Sequence, residues 1–206
     1  MTGPDDPILV VATRNSGKLR EFRNLLRPLK NTILGLGDLP VDAEIEESGG
    51  SFAENACLKA IGYSRVTPFP VLADDSGLEV AALDGQPGIH SARYAGVGAT
   101  DADRIRKLLK EIGSAAKGRD AHFVCALALA QDGVLRHEAA GECLGNIIDE
   151  PRGTNGFGYD PVFLFPELGK TFAELNEAEK NQYSHRAKAV ASLLAKMQAG
   201  KTGGGR

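Results

Sequence analysis

The sequence predicts an α/β fold in which a mixed sheet is flanked by helices. Two observations predict this fold. Strand-like and helix-like segments alternate along the first part of the chain, as in parallel β-α units. A hairpin signal at Asp132-Gly133 then follows, and a hairpin adds antiparallel strands to a sheet. A length of 206 residues suits one domain or two small lobes.

The first strand and helix enclose a polar turn. Residues 8–13 (ILVVAT) form a continuous apolar, β-branched run that predicts a buried strand. A turn at residues 14–17 follows, and a helix is expected from about Lys18 until Pro28. Such a turn directs backbone N–H groups and a helix N-terminus at an anion.

The next elements lead to a pair of aspartates. A short strand is expected at residues 32–34, and Ser51 with Glu54 forms a capping-box pattern for a helix. Residues 71–73 predict a short buried strand that ends at Asp74 and Asp75. Ser76-Gly77 is then expected to turn the chain, so that residues 78–83 pair back.

The second half of the chain predicts more strands than helices. Thr100 and Asp103 open a helix that ends near Gly113. The remaining expected elements are strands at 121–130, 134–144 and 159–165, the last containing Pro161, and a final helix at about 184–197. Neither a repeat nor a linker is found, which predicts a single domain over residues 1–199 and a disordered tail at 200–206.

Composition excludes several classes of protein. Apolar residues make up 42% and charged residues 25%, which is ordinary for a soluble globular chain. A formal net charge of -3 disfavours binding to polymeric nucleic acid. No apolar run suits a membrane span, and the acidic start lacks a secretory signal. Three scattered cysteines fit no zinc or redox motif, so reduced thiols in an intracellular compartment are expected.

Two polar clusters could bind a polyphosphate and its metal. The first is the turn Thr13, Arg14, Asn15, Ser16, Gly17 and Lys18, whose short donors and mobile cation suit phosphates although it is not a P-loop. The alternative is an ordinary strand-to-helix turn. The second is Asp74-Asp75, of which one carboxylate is expected to reach a metal because neighbouring strand residues point oppositely. The alternative here is a polar strand exit.

Two later clusters could bind a nucleoside. The glycine-rich segment 153–158 allows close backbone approach, and Phe157 can offer its face to a planar base while Asp160 orients it. The alternative is a glycine loop around a core phenylalanine. Lys180 and the run Ser184-His185-Arg186 could place donors near a base or phosphate, or could merely cap the last helix.

Six segments, taken together and in order, resemble one known family. They are VATRNSGK, EESGGSFAENACLKA, LADDSGLEV, PGIHSARYAG, GTNGFGYDPVF and AEKNQYSHRAKA. These segments resemble the blocks of the inosine triphosphate pyrophosphatase family, whose members are also called dITP/XTP pyrophosphatases. The resemblance runs from about Ile8 to Met197. It implies a mixed α/β fold with an elongated sheet, a single two-lobed domain over residues 1–199 with a central substrate cleft, and a cytoplasmic homodimer.

The resemblance also implies an activity and its residues. Family members use Mg²⁺ to hydrolyse non-standard purine nucleoside triphosphates (ITP, dITP and XTP) to the monophosphate and pyrophosphate, which cleanses the nucleotide pool. By matching motifs, Asp75, Lys18 and Lys59 would be catalytic, and Glu47 and Asp75 would bind the metal, with Glu46 the less favoured neighbour. The implied substrate-binding residues are Thr13, Arg14, Asn15, Ser16, Gly17, Lys18, Ser76, Phe157, Gly158, Tyr159, Asp160, Lys180, His185 and Arg186. Asn155 departs from the family pattern, in which glycine is frequent at that position.

Two other functions stay open from the residues alone. A pyrophosphatase for pyrimidine or modified nucleotides would use the same phosphate-binding residues with a different base pocket. A nucleotide sensor would bind phosphates without positioning a water, and the carboxylates of Glu47 and Asp75 argue against it. A structural protein is least expected, because it would not need lysines and carboxylates grouped around glycine turns.

Overall fold

A computed structural model describes residues 6–113 and 118–202, with side chains up to residue 199. Within these ranges the α-helices are α1 (Ser16–Leu25), α2 (Phe52–Ser64), α3 (Asp101–Ile112), α4 (Glu177–Tyr183) and α5 (His185–Thr202). The strands are β1 (Ile8–Val11), β2 (Thr32–Gly35), β3 (Val71–Val80), β4 (Asp120–Gln131), β5 (Val134–Ile147), β6 (Phe163–Phe165) and β7 (Lys170–Thr171).

The strands form one mixed, open sheet in the order β2-β1-β3-β4-β5-β6-β7. Strand β1 pairs in parallel with both β2 and β3, and β6 pairs antiparallel with β5 and β7. Parallel neighbours joined through a helix are typical of β-α units, and a returning hairpin gives antiparallel neighbours. The predicted fold class, a mixed sheet with flanking helices, is therefore confirmed.

The hairpin between β4 and β5 is also confirmed. Asp132 and Gly133 form its two-residue loop, and both have positive φ, at 53° and 73°. Two consecutive left-handed residues define the type I′ turn, whose twist matches that of the flanking strands. The caps of α3 agree as well, since Thr100 begins the helix with a capping box and Gly113 ends it.

Strand β3 corrects one sequence prediction. Ser76-Gly77 does not turn the chain, because Val71–Val80 is a single strand of 10 residues. Its apolar residues on both sides of this dipeptide are buried, including Leu72 and Leu78 at 0% exposure. Continued burial keeps the chain extended, and Gly77 does not use the positive φ that many tight turns require.

The segment after the glycine-rich loop corrects a second prediction. Residues 159–165 were expected to form one strand, but Asp160–Val162 is a 3₁₀-helix and only Phe163–Phe165 is extended. Pro161 lies in the first turn of that 3₁₀-helix, where its missing N–H is not needed. Helix α4 was not predicted, and α5 continues beyond the expected end at Met197 to Thr202, so residues 200–202 have helical backbone. The rest of the expected tail, residues 203–206, lies outside the described residues.

Two compact units make up the chain. The first consists of the chain up to Asp75, Cys125–Gly141 and the chain from Arg186 onward, and the second of Ser76–Val124 and Glu142–His185. The first unit has a core that includes Val11, Phe22 and Leu193. The second has its own core, centred on phenylalanines such as Phe163 and Phe172. Among the described helices, none combines the length and apolar character needed to cross a lipid bilayer.

Candidate functional site

The turn before α1 presents donors and little negative charge. Asn15 is the N-cap, and its Oδ1 accepts from the Lys18 backbone N–H at 3.0 Å. Thr13 is buried, and its Oγ1 accepts from the Asn15 N–H at 3.1 Å. Arg14, Asn15 and Ser16 are exposed and Gly17 is half-buried. Because the first turn of the described helix holds no acidic residue, its partial positive charge favours an anion.

Asp74 is the buried partner of two cations in the first unit. Lys18 Nζ donates to Asp74 Oδ2 at 2.7 Å, and Arg186 Nε lies 3.9 Å from the same oxygen. Burial alone would raise the pKa of Asp74, but the positive charges of Lys18, Arg186 and Lys59 outweigh it and hold the pKa well below its usual range. Asp74 therefore stays a carboxylate that fixes the Lys18 ammonium near the α1 turn.

Arg186 belongs to this same group of charges. Its Nη1 donates to Glu21 Oε2 at 2.6 Å, and only 3% of Arg186 is exposed. Burial would lower the pKa of Arg186, but Glu21 and Asp74 raise it, so the guanidinium is always charged. Glu21 was missed by sequence reasoning, because an acidic residue inside a helix gives no sign of a partner 165 positions away.

Asp75 has different partners from its neighbour. Asn55 Nδ2 donates to Asp75 Oδ2 at 3.1 Å, and Lys59 Nζ lies 3.8 Å from Asp75 Oδ1. The same ammonium donates to Glu47 Oε2 at 3.2 Å. The two neighbouring aspartates therefore contact different side chains, and the expectation that only one of them reaches a metal stays a prediction. Asn55 was not predicted, and a single amide in a helix carries no signal for such a role.

Burial and charge set the protonation of this second group. Burial raises the pKa of Asp75, and the negative Glu47 acts in the same direction, so that Lys59 and Asn55 only partly oppose it. Burial would lower the pKa of Lys59, but Asp74, Asp75 and Glu47 together raise it. Lys59 is thus a buried, charged ammonium, and Asp75 is the carboxylate more ready to accept a proton.

The donor set around Lys59 fits a magnesium ion in part. Mg²⁺ commonly takes one or two protein carboxylates and completes its shell with water and substrate phosphate oxygens. Glu47 and Asp75 already face one cationic group, the Lys59 ammonium. Within residues 6–113 and 118–202, no three His, Cys, Asp or Glu side chains gather into a ready-made metal cluster. Two carboxylates are nevertheless enough for a metal that arrives with a phosphate ligand.

The glycine-rich loop of the second unit depends on close backbone approach. A Cβ added to Gly153, whose φ is +83°, would lie 2.3 Å from the Ala173 carbonyl carbon. A Cβ on Gly156 would lie 2.0 Å from Asp160 Oδ2. Asn155 does not have positive φ, and its Nδ2 donates to Leu175 O at 3.0 Å, so its replacement of a frequent glycine is accommodated.

Phe157 lies beside a buried ion pair in that loop. Lys180 Nζ donates to Asp160 Oδ2 at 2.6 Å, and the two residues are 7% and 3% exposed. The same carboxylate oxygen accepts from the Phe157 N–H at 2.9 Å. The Lys180 ammonium is 5.0 Å from the centre of the Phe157 ring, which itself is half-buried. An aromatic face and a fixed cation therefore lie side by side in the second unit.

Other predicted nucleoside contacts lie deeper in the second unit. Tyr159 is 4% exposed, and its hydroxyl donates to Ser91 O at 2.9 Å. The His185 ring is buried and stacks on Phe123 with centres 4.8 Å apart. Ser76 is half-buried on β3, and Gly158 donates its N–H to Asp101 Oδ2 at 2.7 Å. Tyr159 and His185 therefore also have packing roles, and Arg186 is the partner of Glu21 and Asp74 described above.

Comparison with known proteins identifies the family. A model of the Ham1 family matches residues 9–196, nearly the whole chain. The chain belongs to the Ham1 family. A dITP/XTP pyrophosphatase of Geobacillus kaustophilus is 52% identical over 186 residues, which cover 90% of this chain and 91% of that relative. A dITP/XTP pyrophosphatase of a Nostoc species is 50% identical over 193 residues, covering 93% and 95% of the two chains.

Solved structures of family members agree with the fold. The Ham1 protein of Staphylococcus aureus matches with a TM-score of 0.82 and 40% identity, over 93% of this chain and 98% of that one. A Ham1 protein from Coxiella burnetii matches with a TM-score of 0.83 and 43% identity, over 94% and 99% of the chains. The resemblance indicated by the six sequence segments is therefore confirmed.

Proposed function

We propose that this protein is a nucleoside triphosphate pyrophosphatase. It hydrolyses dITP, ITP and XTP to the monophosphate and pyrophosphate with Mg²⁺, and so removes non-standard purines from the nucleotide pool. Relatives that are about half identical over nearly the whole chain carry the name dITP/XTP pyrophosphatase. The observation that carries the proposal is the cluster of Lys18 and Lys59 with Asp74, Asp75 and Glu47.

The phosphate tail is assigned to the first unit. The N–H groups at the start of α1 and the Lys18 ammonium bind phosphate oxygens, and Lys59 provides a second cation. Lys18 is already held by the buried Asp74, so little freedom is lost when it meets the substrate. Two fixed cations offset the charge that develops on the departing pyrophosphate, the main electrostatic need of this reaction.

Asp75 is assigned the proton transfer. One water attacks the α-phosphorus, the bond to the bridging oxygen breaks, and pyrophosphate leaves with the bonding electrons. Asp75 Oδ1 takes the proton of that water, and its raised pKa makes it a better acceptor than Asp74. Glu47 and Asp75 would hold Mg²⁺, which when bound polarises phosphate oxygens and lowers the pKa of a water ligand.

The base is assigned to the second unit. The Phe157 ring offers a stacking face, and the pair Lys180–Asp160 fixes the loop that carries it. Hypoxanthine and xanthine present a carbonyl at C6, whereas adenine presents an amino group. Because the Arg186 guanidinium already binds Glu21 and Asp74, we assign the carbonyl to His185 and to backbone N–H donors. A site of this kind discriminates by about 10⁴-fold, since adenine would leave a buried donor unpaired.

A substrate panel tests the proposal. The purified protein is given dITP, XTP, ITP, dATP, dGTP and dTTP, with a series of MgCl₂ concentrations and with EDTA. Products are identified as monophosphate and pyrophosphate by ³¹P NMR. The proposal expects metal-dependent pyrophosphate release that is fastest with keto-purines lacking a 2-amino group. Equal efficiency on dATP and dITP would overturn the assigned selectivity, and release of orthophosphate would overturn the assigned bond.

The proposal includes a homodimer in the cytoplasm, as the family resemblance implies. Light scattering on the eluting protein tests the first point, since a mass near twice 21.8 kDa is expected. A monomer at micromolar concentration would contradict it. Fractionation of cells that express the full chain tests the location.

A further inference from the structure

Asp101 is an acidic side chain at the first position of α3 that makes no cap for its own helix. The cap is formed by Thr100 and Asp103, since Thr100 Oγ1 accepts from the Asp103 N–H at 3.2 Å and Asp103 Oδ2 accepts from the Thr100 N–H at 3.0 Å. Asp101 instead accepts from the Gly158 N–H through Oδ2, at 2.7 Å. A carboxylate in the first turn interacts favourably with the helix dipole whichever way it points. The dipole therefore does not explain why the Asp101 carboxylate points toward Gly158.

Arg104 holds the Asp101 carboxylate in that direction. Its Nη2 binds Asp101 Oδ1, and its Nη1 donates to Ala92 O at 3.0 Å and Ala99 O at 2.7 Å. The guanidinium therefore connects Asp101 to the backbone of two segments before α3, the 3₁₀-helix Gly88–Arg93 and the turn at Ala99. With Oδ1 bound in this way, Oδ2 is left directed at the peptide between Phe157 and Gly158.

Phe157 lies between two peptide N–H groups that carboxylates hold. Its own N–H is bound by Asp160, which is three positions away in sequence, and the following N–H is bound by Asp101, which is 57 positions away. Gly156 and Gly158 on either side have positive φ, at 76° and 63°, where glycine has wide conformational freedom. Without an outside anchor, the backbone at Gly158 could rotate and carry the Phe157 ring with it.

We propose that Asp101 is a positioning residue for base recognition, which fixes the Phe157 ring through the Gly158 N–H. This inference rests on the proposed function for its substrate, a keto-purine nucleotide. Asp101 does not touch the base and acts only through the loop. Its side chain is 44% exposed, so the hydrogen bond contributes toward the lower end of the range for a charged acceptor.

Steady-state kinetics with variants of Asp101 and Asp103, both in the first turn of α3, test whether Asp101 positions the loop. Asp101→Ala is expected to raise the KM for dITP about 10-fold with kcat little changed, because binding is lost equally in the ground and transition states. Asp101→Asn keeps an oxygen that can accept from Gly158, so it should recover most of the affinity. Asp103→Ala loses the cap of the same helix and should lower the melting temperature while the KM stays at the wild-type value.

A spectroscopic measurement tests the inference without any activity. The chain contains no tryptophan, so Phe157→Trp introduces a single reporter at the loop. Adding Asp101→Ala to that variant should increase quenching of the emission by acrylamide and lower its anisotropy, whereas adding Asp103→Ala should change neither.

These measurements separate the two ways of failing. Unchanged quenching and an unchanged KM in Asp101→Ala, with only a lower melting temperature, would show a structural role and overturn the inference. If the wild-type protein releases no pyrophosphate from dITP, ITP or XTP, the proposed function fails, and the quenching comparison still decides whether Asp101 holds the loop.

Discussion

The candidate residues of the first unit and those of the second unit use different chemical groups. In the first unit the site consists of charged side chains on regular elements, with Lys18 on α1, Lys59 on α2 and two aspartates on β3. In the second unit, backbone N–H groups of a glycine-rich loop are bound to carboxylates. The first arrangement suits a ligand with concentrated charge, and the second suits a planar group that needs a well-placed ring. This difference supports the proposal that the first unit binds the phosphates and the second unit binds the base.

The largest expected effect comes from the proton acceptor. Asp75→Asn should lower turnover of dITP by about 10²- to 10⁴-fold, because the amide cannot take a proton from the attacking water. Steady-state pyrophosphate release measures the effect. Asp42→Asn, which changes an exposed carboxylate of the acidic segment, is the control. If Asp75→Asn keeps more than half the activity, Asp75 is not the proton acceptor.

Inhibition by fragments of the substrate separates the two groups. Lys18→Met should raise the inhibition constant of pyrophosphate roughly 10- to 100-fold, since a charge-assisted hydrogen bond is lost. Phe157→Ala should weaken inhibition by inosine to a similar degree, because stacking contributes about 1–3 kcal/mol per base. Each variant should leave the other fragment's constant nearly unchanged. If both variants weakened inhibition by pyrophosphate and by inosine equally, the assignment of phosphate to the first unit and base to the second would be wrong.

The glycine loop is expected to be sensitive to one methyl group. Gly153→Ala should lower the free energy of unfolding by about 3 kcal/mol, because the new Cβ meets the Ala173 backbone and the residue has positive φ. Gly169→Ala shares the positive φ but has open space, so it should cost only about 1 kcal/mol. Urea unfolding compares the two. Similar losses would mean that the close approach at Gly153 contributes little.

The smallest expected effect is on the stability of the protein at acidic pH. Hydrogen bonds from Thr100 lower the pKa of Asp103, and a hydrogen bond from the Thr171 N–H lowers the pKa of Glu174. A folded-state pKa below the unfolded value gives stability that is present above the unfolded pKa, near 4, and is lost as pH falls through the folded value. Urea midpoints between pH 6 and pH 3 should therefore fall less steeply for Asp103→Asn than for the wild type. An identical slope would show that the cap is not linked to protonation.

Local patterns predicted the regular elements well. Thr100, Gly113 and the Asp132-Gly133 turn each have a chemical signature within a few residues, and each was found as expected. Strand β3 was misjudged at Ser76-Gly77, because a dipeptide typical of turns can remain extended when the residues around it are buried on both sides. Residues 159–165 were misjudged because Pro161 fits the start of a 3₁₀-helix as well as an edge strand.

In the candidate site, too, only the features with a local sequence pattern could be predicted. Residues with a motif, such as Lys18, Asp75 and Phe157, could be named from the sequence. Glu21 and Asp101 could not, because they look like ordinary helix-surface acids until the fold brings Arg186 and Gly158 to them. The sequence motifs predict which side chains could contact a substrate. The contacts that hold these side chains in place join segments far apart in the sequence, so a local pattern does not predict them.

The last helix has a consequence for the order in which the protein is made. The core of the first unit contains Val190 and Leu193 from α5, although most of that unit is encoded before Asp75. The second unit draws only on residues between Ser76 and His185. During synthesis from the N-terminus, the opening strands therefore await their closing helix until the end of the chain has been made. A premature stop near Tyr183 would thus leave the core of the first unit without Val190 and Leu193.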